Sequence, residues 1–254
     1  MTEPAPPRAE ASRLARWLTE VFVIAFGILL AFSVDAIWNR VQEAEQERFT
    51  LEALAEEFRA NAASLRETGG AHDGVARACS EILALTGPTA SDASGIARLI
   101  GEVWIPWHAE LNSGAIQSLL STDDLARIRD PRLRAALAGW PDRVASLVRL
   151  QDELHTALTV DLLPAIQSAV PQVDLELVNG FATIPGLREE FETLVEPSRF
   201  ETDFRPLLRS MRFENTILNR LTVSMITRKE AYDLADEAER ILGLLGESLG
   251  TGST

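Results

Sequence analysis

The sequence predicts an all-α protein: one N-terminal transmembrane helix that continues into a long helix, plus a soluble multi-helix bundle. Three observations carry this expectation. Ala, Leu, Glu and Arg dominate the composition while Val, Ile and Thr rarely alternate with polar residues, which favours helix over strand. The stretch from Trp17 to Trp38 is apolar on every side of a helix. Beyond it, apolar residues recur at spacings of three and four, as helix faces require. The expected organisation is a short disordered cytoplasmic tail over 1–16, a transmembrane helix over 17–38 and a helical extramembrane domain over 39–250.

The tail carries Pro4, Pro6 and Pro7, and its first eight residues read as disordered. From Val21 to Val34 there is no charge. Extended to its flanking tryptophans, Trp17 and Trp38, the helix is about 32 Å long, which matches a hydrocarbon core. Tryptophan at each end supplies the interfacial belt, and Glu20 and Asp35 fall near the two polar boundaries. Two rival readings are a buried helix of a soluble core and a signal peptide cleaved near Ala31-Phe32-Ser33. The first is disfavoured because a buried helix is seldom apolar all round. The second is disfavoured because the helical pattern continues unbroken through Asp35, Trp38 and Arg40. Arg8, Arg13 and Arg16 precede the span, against Arg40 and Arg48 after it, a bias that points to a cytoplasmic N-terminus and a periplasmic main domain in a bacterial inner membrane. Gly27 and Ala31 form a small-xxx-small pair on one face, with Asp35 and Trp38 further along, and such faces admit a second helix backbone.

The run Glu20-x6-Gly27-Ile28-Leu29-Leu30-Ala31-x3-Asp35-x2-Trp38-Asn39 resembles the N-terminal signature of a large, uncharacterised bacterial family of single-span membrane proteins. A second similar patch is Leu111 to Ser121, followed by Asp130-Pro131-Arg132-Leu133 and on to Leu137. The resemblance covers residues 15–165. It implies a membrane anchor ahead of a charged helix and implies no activity.

Past the membrane, Val41, Ala44, Arg48, Leu51, Ala55, Phe58, Ala62 and Leu65 alternate by threes and fours, an a/d seam with Arg48 as its misfit. Val41, Leu51, Phe58 and Leu65 are its candidate interaction residues. The seam suits either a dimerising stalk or one helix of an intramolecular bundle, and the bundle is favoured. Gly69-Gly70 is expected to end this helix. A second helix runs from Asp73 to Leu85, before Thr86-Gly87-Pro88, and a third is capped by Ser91 or Asp92 and ends near Val103. Trp104 to His108 reads as a packed aromatic corner. Ser113 to Leu120 is a short helix with Ser113 as its cap, and Asp130-Pro131 is a cap-plus-proline start. Trp140-Pro141 is expected to kink or restart the chain, and a bend is expected at Pro164. Val173 to Val178 suits a brief extended piece, and Leu187 to Leu194 a short helix. The longest soluble helix is expected from Pro206, burying Leu207, Met211, Leu218, Leu221, Met225, Tyr232, Ala235, Leu242, Leu245 and Leu249. Gly250 to Thr254 reads as a frayed end.

A net charge of −14 argues against nucleic acid as a partner, since its binding needs a cationic surface. The single Cys79 lies among apolar residues and reads as a buried structural thiol. His72, His108 and His155 lack metal-ligand spacing, and the acids of Asp123-Asp124 point apart on a helix. Ser113 has no base near it in the sequence, and no common catalytic or nucleotide-binding motif occurs. The expectation is therefore a protein that is not an enzyme and holds neither cofactor nor metal. Its expected partners are the lipid bilayer and other transmembrane helices, through a membrane complex or self-association. The expected role is an accessory or scaffold subunit of a larger inner-membrane complex, respiratory or photosynthetic complexes being possible hosts. The alternative is a periplasmic ligand-binding sensor module that signals through a partner.

Overall fold

The computed structural model describes residues 8–250 except 123, 168, 176–186 and 197, and it leaves undescribed the side chains at 8–16, 18–21, 23–25, 174, 175, 187 and 188. Among the described residues all regular structure is helical. The α-helices are α1 (Arg8–Leu85), α2 (Ile96–Trp104), α3 (Gly114–Ser121), α4 (Pro131–Thr156), α5 (Leu163–Gln167), α6 (Gln172–Leu175), α7 (Leu187–Leu194), α8 (Arg205–Leu208) and α9 (Met211–Leu249). A 3₁₀ turn at Asp124–Arg127 precedes α4, and a π-helical turn at Ala157–Leu162 joins α4 to α5. The chain divides into two compact units, Met1–Glu52 and Ala53–Thr254.

In the first unit, every side chain from Phe26 to Gln46 is exposed. The Phe22 and Phe26 rings stack at 6.3 Å, and the Ser33 hydroxyl donates to the Leu29 carbonyl at 2.7 Å. Among the described residues no helix is long and apolar enough to cross a membrane. The expected span falls partly outside those residues, at the side chains of 18–21 and 23–25, and the expected tail falls outside them over 1–7. Val41 is exposed, and burial along α1 begins at Leu51.

The second unit is built on three long helices whose main buried positions follow one rule, with Glu57, Ala62, Ala78, Ala136, Ala235 and Leu244 buried beside them. On α1 they are Leu54, Phe58, Asn61, Leu65, Thr68, His72, Val75, Cys79 and Ile82, a strict alternation of four and three. On α9 they are Phe213, Ile217, Arg220, Ser224, Thr227, Ala231, Leu234, Ala238, Ile241 and Leu245, in the same alternation. On α4 the series Leu133, Leu137, Trp140, Leu147, Gln151, Leu154 and Leu158 keeps it, with half-buried Val144 filling the one gap. Such spacing keeps one narrow stripe of each helix facing its neighbours over many turns.

Ion pairs give the directions. Arg66 meets Asp236 and Glu239, while Asp73 meets Arg228, so α1 and α9 are antiparallel. Arg132 meets Glu247, while Arg143 meets Glu230 and Glu237, so α4 and α9 are antiparallel too. The pairs of Arg66 and Arg132 are largely exposed and each adds little stability, while those of Arg143 are half-buried. The Phe58 and Trp140 rings, 4.7 Å apart, tie α1 to α4. One end of the bundle is closed by α2, α5 and α8, which pack Ile96, Ile100, Ile166 and Leu208 around Cys79, Ile82 and Phe213.

Several expected boundaries change. The helix does not stop at Gly69-Gly70, because the seam continues through Thr68 and His72 and holds both glycines helical. Gly69 serves close approach instead: a Cβ there would lie 2.7 Å from the Tyr232 ring. The helix does end at Leu85, ahead of Gly87 at φ 146°. Asp92 accepts from the Ser94 amide and does not cap α2, whose N-cap is left-handed Gly95. Asp130 caps α4 as expected, accepting from the Arg132 amide. Pro141 sits inside α4, which runs on to Thr156, and the expected bend at Pro164 is replaced by the π-helical turn. Pro164 then falls in α5 directly after the π-helical turn. The longest soluble helix begins after Ser210, whose hydroxyl accepts from the Phe213 amide, while Pro206 belongs to α8. Its buried stripe is also rotated, since Met211, Leu218 and Met225 are exposed. The helix expected over Leu187–Leu194 is present. Of the extended piece expected over Val173–Val178, residues up to Leu175 are helical and the rest lie outside the described residues, as does the expected frayed end beyond Gly250.

The two adjacent glycines therefore have opposite roles. Tyr232 is held by its hydroxyl, which donates to Asp73 at 2.9 Å, and Arg66 lies over its ring, so it has little freedom to yield. Gly69→Ala should destabilise the fold by about 1–2 kcal/mol through overpacking. Gly70→Ala, with nothing within 4 Å of its Cβ position, should stabilise it by up to about 1 kcal/mol. Thermal melts of the two variants should shift in opposite directions.

Candidate functional site

Residues 105–113, between α2 and α3, have no regular structure. A main chain without a ladder must find partners for its N–H and C=O groups elsewhere when it is packed against a core. Polar residues on or beside the helix seams supply them. Arg220 of α9 donates to the carbonyls of Val103 at 2.9 Å and Ile105 at 3.1 Å. Asn61 of α1 pairs with Asn112 in both senses: its amide nitrogen donates to the Asn112 carbonyl at 2.8 Å, and its oxygen accepts from the Asn112 amide at 2.7 Å. One turn earlier, the Glu57 carboxylate accepts from the amides of Ala115 at 2.7 Å and Ile116 at 3.2 Å. These are free N–H groups at the start of α3, where a negative charge also faces the positive end of the helix dipole.

Between these clamps the Trp107 carbonyl faces the His72 ring. The geometry is self-consistent. From Asn61 to His72 a helix rises about 16 Å. From Asn112 to Trp107 an extended chain spans about the same. Residues 105–113 thus form a strap that opens with a tight turn, the Trp107 amide donating to the Ile105 carbonyl at 3.1 Å, and then runs along α1 in the opposite direction.

The strap covers a buried polar layer. Arg220 is 1% exposed, donates also to the Ser224 hydroxyl at 2.6 Å, and has no carboxylate partner among the described residues. Burial lowers its pKa to about 10, so it remains charged at neutral pH. His72 is fully buried and neither ring nitrogen makes a hydrogen bond. Burial, and then the nearby Arg220 charge, push its pKa down to about 4. Cys79 is fully buried, and burial pushes its thiol up to about 11. A protonated thiol and a neutral imidazole without hydrogen bonds offer no nucleophile. The expectation of a structural Cys79 agrees with its burial.

The strap also forms one wall of a groove of about 640 Å³. Ala109, Leu111 and Asn112 come from the strap, and Ile116, Gln117 and Leu120 from one face of α3. The opposite wall is α4, through Trp140, Pro141, Val144, Ala145 and Val148, with Arg149 at its end. Its walls are mainly apolar, with a few polar groups, as small-molecule sites are.

The chain matches no family model, no curated protein and no solved structure.

Sequence reasoning placed Leu51, Phe58 and Leu65 on a seam, and all three are buried. Gly27, Ala31, Asp35 and Trp38 are exposed on the first unit, with nothing within 4 Å of the Gly27 Cβ position. Ser113 stands at the N-cap of α3, yet its hydroxyl accepts from the Gln117 side chain, and Glu57 does the capping. His108 is exposed, its Nδ1 2.6 Å from the Pro106 carbonyl. The aromatic corner is packed as expected, Trp104 and Trp107 lying against the core around Cys79. Asp123 lies outside the described residues. Among the described residues no group of three or more His, Cys, Asp and Glu is placed to hold a metal ion. Glu57, Asn61, Arg220 and Arg149 carried no sequence signal, because each sits in a helical pattern that reads equally well as solvated surface.

Two outcomes follow from the strap. Asn61→Leu leaves two main-chain groups of Asn112 unpaired and should cost about 2–4 kcal/mol in chemical denaturation. An unchanged midpoint would show that the strap is not held there. His72 binds a proton in the unfolded chain near its ordinary pKa and in the folded chain only near 4. Its contribution is therefore complete above about pH 6.5 and is lost as the pH falls towards 4, amounting to about 3 kcal/mol across that window. His72→Leu should remove this acid-sensitive component and flatten the stability profile between those limits.

Proposed function

We propose that the chain is a membrane-anchored, non-enzymatic helical protein that acts as an accessory or scaffold subunit of a larger bacterial inner-membrane complex. The observation that carries the reading is the surface of the first unit. Phe26, Ile28, Leu29, Leu30, Phe32, Val34, Ile37 and Trp38 are each more than half exposed. At 100° per residue these positions face every direction around the helix axis. Water-soluble proteins rarely leave an apolar patch of more than a few hundred Å² uncovered, and here there is no polar side to turn outwards. A hydrocarbon environment removes that penalty on all sides at once.

Uncharged Val21–Val34, the flanking tryptophans and the family-like anchor motif support the same placement. The arginines at 8, 13 and 16 favour an N-terminus on the cytoplasmic side, which puts the bundle in the periplasm. Gly27 and Ala31, one turn apart, let a neighbouring span approach closely. In this reading the anchor confines the protein to the membrane plane and the bundle offers a rigid surface to a neighbour there.

The full-length chain expressed in bacteria should stay with the membrane pellet through an alkaline carbonate wash, and mild detergent should recover it with a stoichiometric partner. Gly27→Ile combined with Ala31→Ile should leave the membrane fraction unchanged and reduce partner recovery by at least tenfold. Release by carbonate would sink the anchor, and a clean monomer by native mass spectrometry would sink the subunit role.

A further inference from the structure

We propose that the groove between the strap, α3 and α4 is a binding site for a single-chain anionic amphiphile, an acyl chain ending in a carboxylate. This goes beyond the membrane reading and does not depend on it, because the groove belongs wholly to the second unit. Its volume of about 640 Å³ lies within the range of small-molecule sites. Two features select the occupant.

The first is the apolar floor. Leu111, Ile116, Val144, Ala145 and Val148 line it, and Val148 is 46% exposed. An acyl chain laid there removes apolar surface from water on both partners, at about 25 cal/mol per Å².

The second is the charge at the rim. Arg149 stands at the end of the α4 wall, and Asp152 and Glu153 follow it at i+3 and i+4, where helical ion pairs form readily. The guanidinium takes neither. It reaches in the other direction and donates to the Ser146 hydroxyl at 2.8 Å, the only partner it has among the described residues. An exposed i,i+4 pair is worth only a few tenths of a kcal/mol, whereas a ligand carboxylate at the mouth of an apolar groove makes a charge-assisted, bidentate pair. In a chain of net charge −14, a guanidinium without a carboxylate beside an apolar groove is the one feature there that attracts an anion. The chain terminus and the headgroup of a single-chain amphiphile match these two features in order.

The test uses the full-length chain in nanodiscs of zwitterionic lipid, titrated with decanoate, with decyltrimethylammonium and decanol as charge controls. Decanoate should bind saturably by calorimetry, at least tenfold more tightly than either control. Arg149→Gln should weaken decanoate about tenfold and leave decanol unchanged. Ala145→Phe, at an exposed helix position inside the groove, should abolish binding of decanoate while the circular dichroism spectrum and melting temperature stay as in the parent. Equal binding of decanoate by the parent and both variants would overturn the site. So would decyltrimethylammonium binding as tightly as decanoate, or a change of oligomeric state in Ala145→Phe, which would assign the groove to a protein partner.

Discussion

The structure of the second unit depends on one constraint: a strap without regular structure packed on a helical bundle must have its main-chain groups paired by side chains. The bundle answers by placing polar residues at core positions. Arg220 serves two carbonyls, Asn61 an amide and a carbonyl, and Glu57 two amides. Burying a guanidinium without a carboxylate is costly, and the arrangement offsets that cost through geometry. A planar fork reaches Val103, Ile105 and Ser224 at the same time, which a lysine ammonium does not reproduce. Removal of either half of such a contact leaves a desolvated group without a partner, so strap and seam stand or fall together.

The groove inherits its shape from this clamp. Asn61 fixes Asn112 and Glu57 fixes the first amides of α3, so the strap wall and the α3 wall are both referred to the same two turns of α1. The α4 wall is referred to α1 through Phe58, whose ring meets Trp140. Each side of the groove is therefore positioned by a helix that does not line it. Sites held in this way by rigid elements keep their geometry better than sites built on free loops.

Much of the fold was legible in the sequence, and the failures share a cause. Helical content, the Asp130 cap, the helix over Leu187–Leu194, the end at Leu85 and the burial of Phe58 and Leu65 follow from periodicity and capping chemistry. On α9, however, the pattern of large apolar residues runs through Met211, Leu218 and Met225, which face outwards. The true seam passes through Arg220, Ser224 and Thr227, which composition alone assigns to the surface. On α1 the same substitution of polar for apolar residues at Asn61, Thr68 and His72, beside two glycines, imitates a helix stop. The polar residues that pair the strap or line the layer beneath it are the ones that hid the register. The groove was invisible for a different reason: its walls come from three segments brought together only by that clamp.

The polar residues also share one stretch of the bundle. Asp73 meets Arg228, which sets His72 beside the turn of Thr227. Arg143 meets Glu230 and Glu237, so Gln151, two turns further along α4, falls level with Ser224. His72, Gln151, Thr227, Ser224 and Arg220 therefore occupy a polar stretch about two helical turns long, level at its Arg220 end with Cys79 and Ile82 of α1 and followed at its other end by the apolar core around Leu54, Phe58 and Leu245. Any sliding of a helix by one heptad would drive an apolar residue against the Arg220 guanidinium and strand it without its carbonyls. In coiled coils a single buried polar position fixes register at the expense of stability. Here buried polar residues stand on all three helices, and the unpaired ring nitrogens of His72 and the Gln151 amide nitrogen show where the expense falls.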